Sequence, residues 1–235
     1  MNKLKIGMVI ADDMEYAPLE NCGGEPFSYF GRKGHIFRFS NENREIELVS
    51  VHCGIGKVNS ASAAMYLIDN GCDIILNSGL SGGISNISRG ELMLCTRYIE
   101  HDFDLTPLGF KKAQKPSQEY IYESDEALLS FFSERLGIKK CGMAVSGDCF
   151  VSDDALRNSL AEEYGAMSCD MESAAIASVC HMTGKRFLSL RRISDDAGNT
   201  ANSNYREMNE NEKFDLVILL KESVGDMLGD DRFFN

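Results

Sequence analysis

The stretch SCDMESAAIASVCHMTGKRFLSLRRISDDA, Ser168 to Ala197, carries two periodicities in succession. From Ser173 the small apolar residues Ala174, Ala175, Ile176 and Ala177 read as a helix that packs close to its neighbour, and Gly184 stops it. KRFLSL is then an apolar run of strand length that opens into the polar RRISDD. The same alternation recurs along the chain. LKIGMVIA (Leu4 to Ala11), CDIILNSGL and KCGMAVSGDCFV read as buried strands, and GELMLCTRYIEHDFDL as a longer one. The segment from Ser28 to Gly54 reads as a hairpin-like pair of strands. KVNSASAAMYLIDNG, SDEALLSFFSERLG, SDDALRNSLAEEYG and NENEKFDLVILLKESVGDML read as helices, the second opening at Ser124. Strands alternating with helices over short links indicate an α/β fold, expected as one domain over residues 1–235. The least regular stretch, Pro107 to Glu123, reads as a loop at an edge or interface.

Composition narrows the function. A net charge of −12 with no clustered basic face argues against nucleic-acid binding and against contact with an anionic membrane. No apolar run approaches the length of a membrane span. The N-terminus passes from two lysines through a short apolar run into acidic residues, which reads as a first strand and not a signal peptide. The eight cysteines are scattered without a C-x-x-C, as free thiols in a reducing cytoplasm would be. Cys169, Cys180 and His181 fit no structural zinc spacing, so neither a metal nor a cofactor is expected. A small molecule is the natural partner.

In α/β sheets ligands sit beyond the C-terminal ends of the strands. Those ends carry ADDMEY, CGIGKV, NSGLSGG, SGDCFV and RRISDD, with CDMES close behind. CGIGKV lacks the first glycine of a phosphate loop, because Val51 stands there. ADDMEYAPLE reads as an acidic loop. From Ile6 to Gly31 there is no lysine or arginine, so this loop suits the activation of water better than the holding of phosphate. In RRISDD an aspartate beside a serine can pass a proton to a substrate nitrogen. Asp170 and Glu172 are either first-turn residues complementing a helix dipole or ligands.

Together and in this order, KIGMVIADDMEYAPLE, VHCGIGKVNSA, DIILNSGLSGG, HDFDLTPLGF, VSGDCFV, CDMESAAIASVCH and RRISDDAG resemble the bacterial 5'-methylthioadenosine/S-adenosylhomocysteine nucleosidases of the nucleoside phosphorylase superfamily. The resemblance covers most of the chain. It implies a three-layer αβα sandwich around a central mixed sheet, a homodimer, and hydrolysis of the N-glycosidic bond of an adenine nucleoside. It implies Glu15 as the base for water, and Asp195, aided by Ser194, as the acid for adenine N7. Glu172 would grip the ribose hydroxyls, with Met171 against the ring and Arg191 near the water and ribose. Phe150 and Val151 would line the base pocket, and Ile55, Leu80, Ser81 and Gly82 the sugar side. Leu105, Leu108 and Pro116 would reach in from the partner subunit over the 5' group. On this reading Asp170 has a structural role at the helix start.

Two positions depart from the family pattern: Leu80 stands where a serine is usual, and Arg192 where a small residue is usual. Three rival readings are a phosphate-dependent purine nucleoside phosphorylase, a nucleosidase for another nucleoside such as aminodeoxyfutalosine, and a non-catalytic nucleoside sensor. The acidic loop favours hydrolysis over phosphorolysis, because Glu15 would repel a phosphate dianion.

Overall fold

A computed structural model describes residues 2–211 and 215–234, with the helix path alone for 209–211. Strand β1 (Asn2–Ile10) leads into helix α1 (Asp13–Glu20). Strands β2 (Glu25–Tyr29), β3 (Arg32–Ser40) and β4 (Arg44–His52) form an antiparallel run. Helix α2 (Lys57–Asp69), β5 (Ile74–Gly83) and β6 (Leu92–Glu100) follow. The short strand β7 (Ile121–Glu123) precedes α3 (Glu126–Leu136) and β8 (Cys141–Ser146). Helix α4 (Asp154–Tyr164), β9 (Ala166–Asp170), α5 (Ser173–Thr183) and β10 (Arg186–Asp195) build the region around the quoted stretch. Helices α6 (Ala201–Asn211) and α7 (Leu216–Asp226) close the chain.

The described strands form one mixed sheet in the order β10-β6-β8-β9-β5-β1-β4-β3-β2, with β7 paired to β6. Strand β5 lies parallel to both β1 and β10, and its tip turns onto β9, Gly82 facing Cys169 and Gly83 facing Ser168. Strands β5, β10, β6, β8 and β9 therefore close into a ring, with the remaining strands continuing from β5 as an open sheet.

Helices cover both faces. Val9, Ile75, Ala63, Ala64, Ala174 and Ala177 share a core under α2 and α5. Ile6, Met8, Ile10, Leu19, Phe132 and Leu220 share the opposite core under α1, α3 and α7. Burial on both faces is why β1 is apolar without alternation. Gly7 lets α2 approach: a Cβ there would stand 2.8 Å from the Ile75 side chain and 2.9 Å from that of Leu67. Truncating the fully buried Leu67 to alanine would cost about 2–5 kcal/mol.

Several boundaries differ from the reading of the sequence. ADDMEYAPLE is a helix and not a loop: Asp12 caps it, accepting from the Met14 N–H at 2.8 Å, and Glu15 completes a capping box. Pro18 fits inside so short a helix, and Tyr16 and Leu19 anchor it. Helix α3 is capped by Asp125, whose carboxylate accepts from the Leu128 N–H, while Ser124 hydrogen-bonds Tyr98 and the Cys95 carbonyl instead. Asn209 to Asn211 end α6, and α7 begins at Leu216; residues 212–214 of the segment read as one closing helix lie outside the described residues. Strands β7 and β9 and helix α6 had no counterpart in the reading: β7 falls inside the stretch read as a loop, and the hairpin-like pair of strands is joined by a third, β2. No helix among the described residues is long and apolar enough to cross a membrane.

Candidate active site

The strand ends converge on a cavity of about 340 Å³. Ala11 and Asp12 follow β1, Leu80, Ser81 and Gly82 end β5, and Ser194 and Asp195 end β10. Cys169 and Asp170 end β9, and Met171 and Glu172 lead into α5. Ile55, from the turn before α2, and Cys149, Phe150 and Val151, from the turn after β8, complete the wall with Tyr205 of α6. Glu15, Glu172, Met171, Phe150, Val151, Ile55, Leu80, Ser81, Gly82, Ser194 and Asp195 are thus brought together as expected. Ile55 and Phe150 stand half-exposed, and Val151 is buried. Five carboxylate residues line the cavity, and none of its lining residues is a lysine, arginine or histidine.

Glu15 sits in the third position of α1, where the capping box fixes its backbone. Its Oε1 accepts from the Leu80 N–H at 2.7 Å. Burial pushes its pKa up to about 8, against the pull of that hydrogen bond and of the Arg191 guanidinium. Gly79 gives both side chains room. A Cβ at residue 79 would meet Arg191 Nη1 at 2.7 Å and Glu15 Oε2 at 3.0 Å.

Glu172 is 5% exposed. Its Oε1 accepts from the Gly56 N–H at 3.1 Å and its Oε2 from the Met171 N–H at 3.3 Å. Each oxygen keeps a lone pair free for a further donor, which suits two vicinal hydroxyls. Burial raises its pKa, with Arg191 opposing and Asp170 adding to the rise.

Asp195, 2% exposed, receives the Ser194 hydroxyl on Oδ2 at 2.6 Å and the Ala197 N–H on Oδ1 at 2.8 Å. Burial raises its pKa, and these two bonds hold the rise in check. A buried carboxyl whose pKa is raised is suited to donate a proton to a ligand nitrogen. Phe150 and Tyr205 stack edge to face above this end, their ring centroids 5.6 Å apart.

Arg191 departs from expectation. It is 1% exposed and does not line the cavity. It lies behind the wall, held by Asn77 Oδ1, by Ser189 Oγ at 3.0 Å, by the Leu80 carbonyl at 3.3 Å and by Asp170 Oδ2 at 2.9 Å. Its Nη1 stays 3.8 Å from Glu172 Oε2. Asp170 lines the cavity and also holds the helix start: its Oδ1 accepts from the Ser146 hydroxyl and from the Glu172 and Ser173 N–H groups at the start of α5.

The two departures from the family pattern meet behind Glu15. Leu80 and Arg192 line a small void there with Leu216 and Val217, and Arg192 Nη1 lies 3.6 Å from Asp215. The hydroxyl of the neighbouring Ser81 is buried and finds no hydrogen-bond partner among the described residues. Leu105, Leu108 and Pro116 do not line the cavity. Leu108 is 71% exposed and Pro116 is exposed, in the segment between β6 and β7. Among the described residues no group of three or more His, Cys, Asp or Glu is arranged to hold a metal ion. Burial pushes the thiols of Cys149 and Cys169 up, so neither supplies a thiolate at neutral pH. Tyr205, Cys149, Cys169, Ala11 and Asp12 went unread as wall residues. Asp12 alone carried a signal, the D-x-x-E of a capping box.

Residues 5–220 match the family model of the phosphorylase superfamily. The chain is 33% identical over 232 residues to the 5'-methylthioadenosine/S-adenosylhomocysteine nucleosidase of Halalkalibacterium halodurans, covering 94% of this chain and 98% of that one. It superposes at a TM-score of 0.85 and 28% identity on the Helicobacter pylori nucleosidase of the same name bound to butyl-thio-DADMe-Immucillin-A, covering 95% and 99%. A structure of Helicobacter pylori futalosine hydrolase is similar at a TM-score of 0.84 and 28% identity, covering 95% and 98%.

Proposed function

Because the chain belongs to the phosphorylase superfamily, in the family of the 5'-methylthioadenosine/S-adenosylhomocysteine nucleosidases, we propose that it hydrolyses the N-glycosidic bond of an adenine nucleoside carrying a 5'-thio substituent. The products are adenine and the 5-thio-substituted ribose. The observation that carries hydrolysis over phosphorolysis is the sign of the wall: among the described residues, five carboxylate residues and no cationic side chain line the cavity. A phosphate dianion has no partner there, whereas water needs only a base.

The chemistry follows from where charge develops. Adenine leaves once N7 is protonated, and Asp195 holds the proton for it, with Ser194 and the Ala197 N–H stabilising the carboxylate left behind. The ribose gains oxocarbenium character. Glu172 orients its hydroxyls and places negative charge beside it. Met171 offers a polarisable, uncharged floor. Glu15 takes a proton from the water that attacks C1'. Phe150 and Tyr205 enclose the base, with Val151 beside them. Arg191 acts from behind, as the countercharge to Glu172 and Glu15 rather than as a contact to substrate.

The proposal extends to one domain over residues 1–235, supported by a sheet that runs through the described chain, and to a homodimer in the cytoplasm. Leu105, Leu108 and Pro116 would close the partner's site over the 5' group, a use supported by the exposure of Leu108 and Pro116. Eight free cysteines support a reducing compartment.

A second nucleoside deserves a direct comparison, because the futalosine hydrolase matches this chain as well as the methylthioadenosine nucleosidase structure does. Chromatographic product analysis tests both readings. Incubation with 5'-methylthioadenosine should release adenine and free methylthioribose at the same rate with and without phosphate. Release that requires phosphate and yields a sugar 1-phosphate overturns the hydrolase reading. Release from aminodeoxyfutalosine alone reassigns the 5' group.

A further inference from the structure

Resting on that reading, we propose that Asp170 is a positioning residue for ribose recognition: it holds the Arg191 guanidinium on itself and so leaves the Glu172 carboxylate free for the two sugar hydroxyls. Arg191 lies between competing carboxylates. Its Nη2 is 2.9 Å from Asp170 Oδ2, an ion pair without hydrogen-bond geometry, while its Nη1 stops 3.8 Å from Glu172 Oε2, beyond hydrogen-bond distance. Glu15 faces it across Gly79, and the Cys95 thiol and the Tyr98 hydroxyl are further titratable neighbours. Asp170 has no freedom to follow a different partner. Its other oxygen is fixed by the Ser146 hydroxyl at 2.5 Å and by the N–H groups of Glu172 and Ser173, each at 3.0 Å. One carboxylate therefore sets two things: the start of α5, from which Glu172 projects, and the place of the one buried cation beside it.

Without the charge on Asp170, Arg191 has a reason to close the gap to Glu172. A guanidinium bonded to both Glu172 oxygens would occupy the lone pairs that the ribose needs. The loss would fall on hydroxyl recognition, not on adenine release as such. An asparagine or serine at residue 170 still caps the helix, since both accept from the first N–H groups. The uncharged variants therefore separate the two jobs of Asp170.

The test compares 5'-methylthioadenosine with its 3'-deoxy analogue, in the wild type and in Asp170→Asn, Asp170→Ser and Asp170→Glu. The wild type should prefer the ribonucleoside in kcat/KM. In Asp170→Asn and Asp170→Ser that preference should shrink by about 10-fold, the scale of a hydrogen bond to a charged group, chiefly through KM for the ribonucleoside. Asp170→Glu should restore it. A merely structural role lowers melting temperature and slows both substrates equally, so an unchanged preference overturns the proposal. Failure of both uncharged variants to fold also overturns it, because the charge then serves the fold. If the wild type releases no adenine from either nucleoside, the functional reading fails first and carries this one down with it.

Discussion

The cavity wall and the layer behind it are built from the same residue types and treat them in opposite ways. At the back of the wall Asp170 faces a guanidinium and accepts from a hydroxyl and two N–H groups, and behind it Arg191 is held by Asn77, Ser189, the Leu80 carbonyl and Asp170. In the wall Glu15 and Glu172 each accept only backbone N–H groups, and Asp195 one hydroxyl and one N–H. Of these groups Asp170 Oδ2 alone has no hydrogen-bond partner among the described residues, although the Arg191 guanidinium lies 2.9 Å away. Groups in the wall are left short of partners, and burial drives up the pKa of all three carboxyls. What the fold leaves unsatisfied is what a substrate can complete.

The sharpest way to break this contrast is Glu15→Gln. It removes the base and should lower kcat by about 10²–10⁴-fold in a single-turnover assay. It should also raise stability, because the wild-type group is costly when ionised. The sign follows from its pKa, raised from near 4.5 to about 8. The stabilising effect of protonated Glu15 is complete below pH 4.5 and is lost as pH rises through 8, on the order of a few kcal/mol. Melting curves of the variant and the wild type should converge near pH 4.5 and separate by pH 8. Coincidence at pH 8 would mean that Glu15 is not strained by burial.

Asp195→Asn comes next, with an expected loss of about 10²-fold or more in kcat and substrate binding largely kept, read by calorimetry. In the layer behind, Arg191→Met should act on stability. It strands Asp170 without its cation, and breaking a buried pair costs about 3–5 kcal/mol, measurable in urea. An Arg191 variant as stable as the wild type would erase the distinction between the two layers.

The pH profile sharpens the contrast. Turnover needs Glu15 ionised and Asp195 protonated, so kcat/KM should be bell-shaped. Burial raises both groups, Glu15 to about 8, so one limb should lie near 8 and the other where Asp195 titrates above its ordinary range. A profile flat from pH 6 to 10 would exclude this assignment. The smallest expected effect is Leu80→Ser, which returns a hydroxyl beside Glu15 and should raise kcat about 3-fold, the worth of one modest hydrogen bond.

Much of this arrangement is legible in the chain itself. Unbroken apolar runs such as KIGMVI mark strands covered on both sides, and their ends mark the site. Glu15, Glu172 and Asp195 emerge because each stands in a short motif whose neighbours are equally specific. Depth does not emerge. A period of two says which face of β10 Arg191 takes, but not that the space there is already filled by Asn77 and Asp170. Tyr205 was illegible for another reason: ANSNYREMNEN has no apolar stripe, and nothing local shows that one tyrosine of a polar helix meets Phe150. Helix α1 carries its own signal in the capping box of Asp12 and Glu15, which a cluster of acids hides.

Strand β5 has no spare edge. It is bonded to β1 and β10 along its sides and to β9 at its tip, and β10 returns through β6 and β8 to the same β9. Leu80 of β5, Asp195 of β10 and Asp170 of β9 are thus staves of one hoop, and no hinge can part them without breaking ladder hydrogen bonds. The spacing of the acid from the Leu80 N–H that holds the base, and from the Asp170 carboxylate that holds the backbone of the sugar grip, is set when the chain folds, before any ligand arrives. Traffic in and out is left to the pieces hung outside the hoop, the 53–56 turn and α6 with Tyr205. In hydrogen–deuterium exchange the amides of β5 and β10 should open only with the whole molecule, and those of α6 long before.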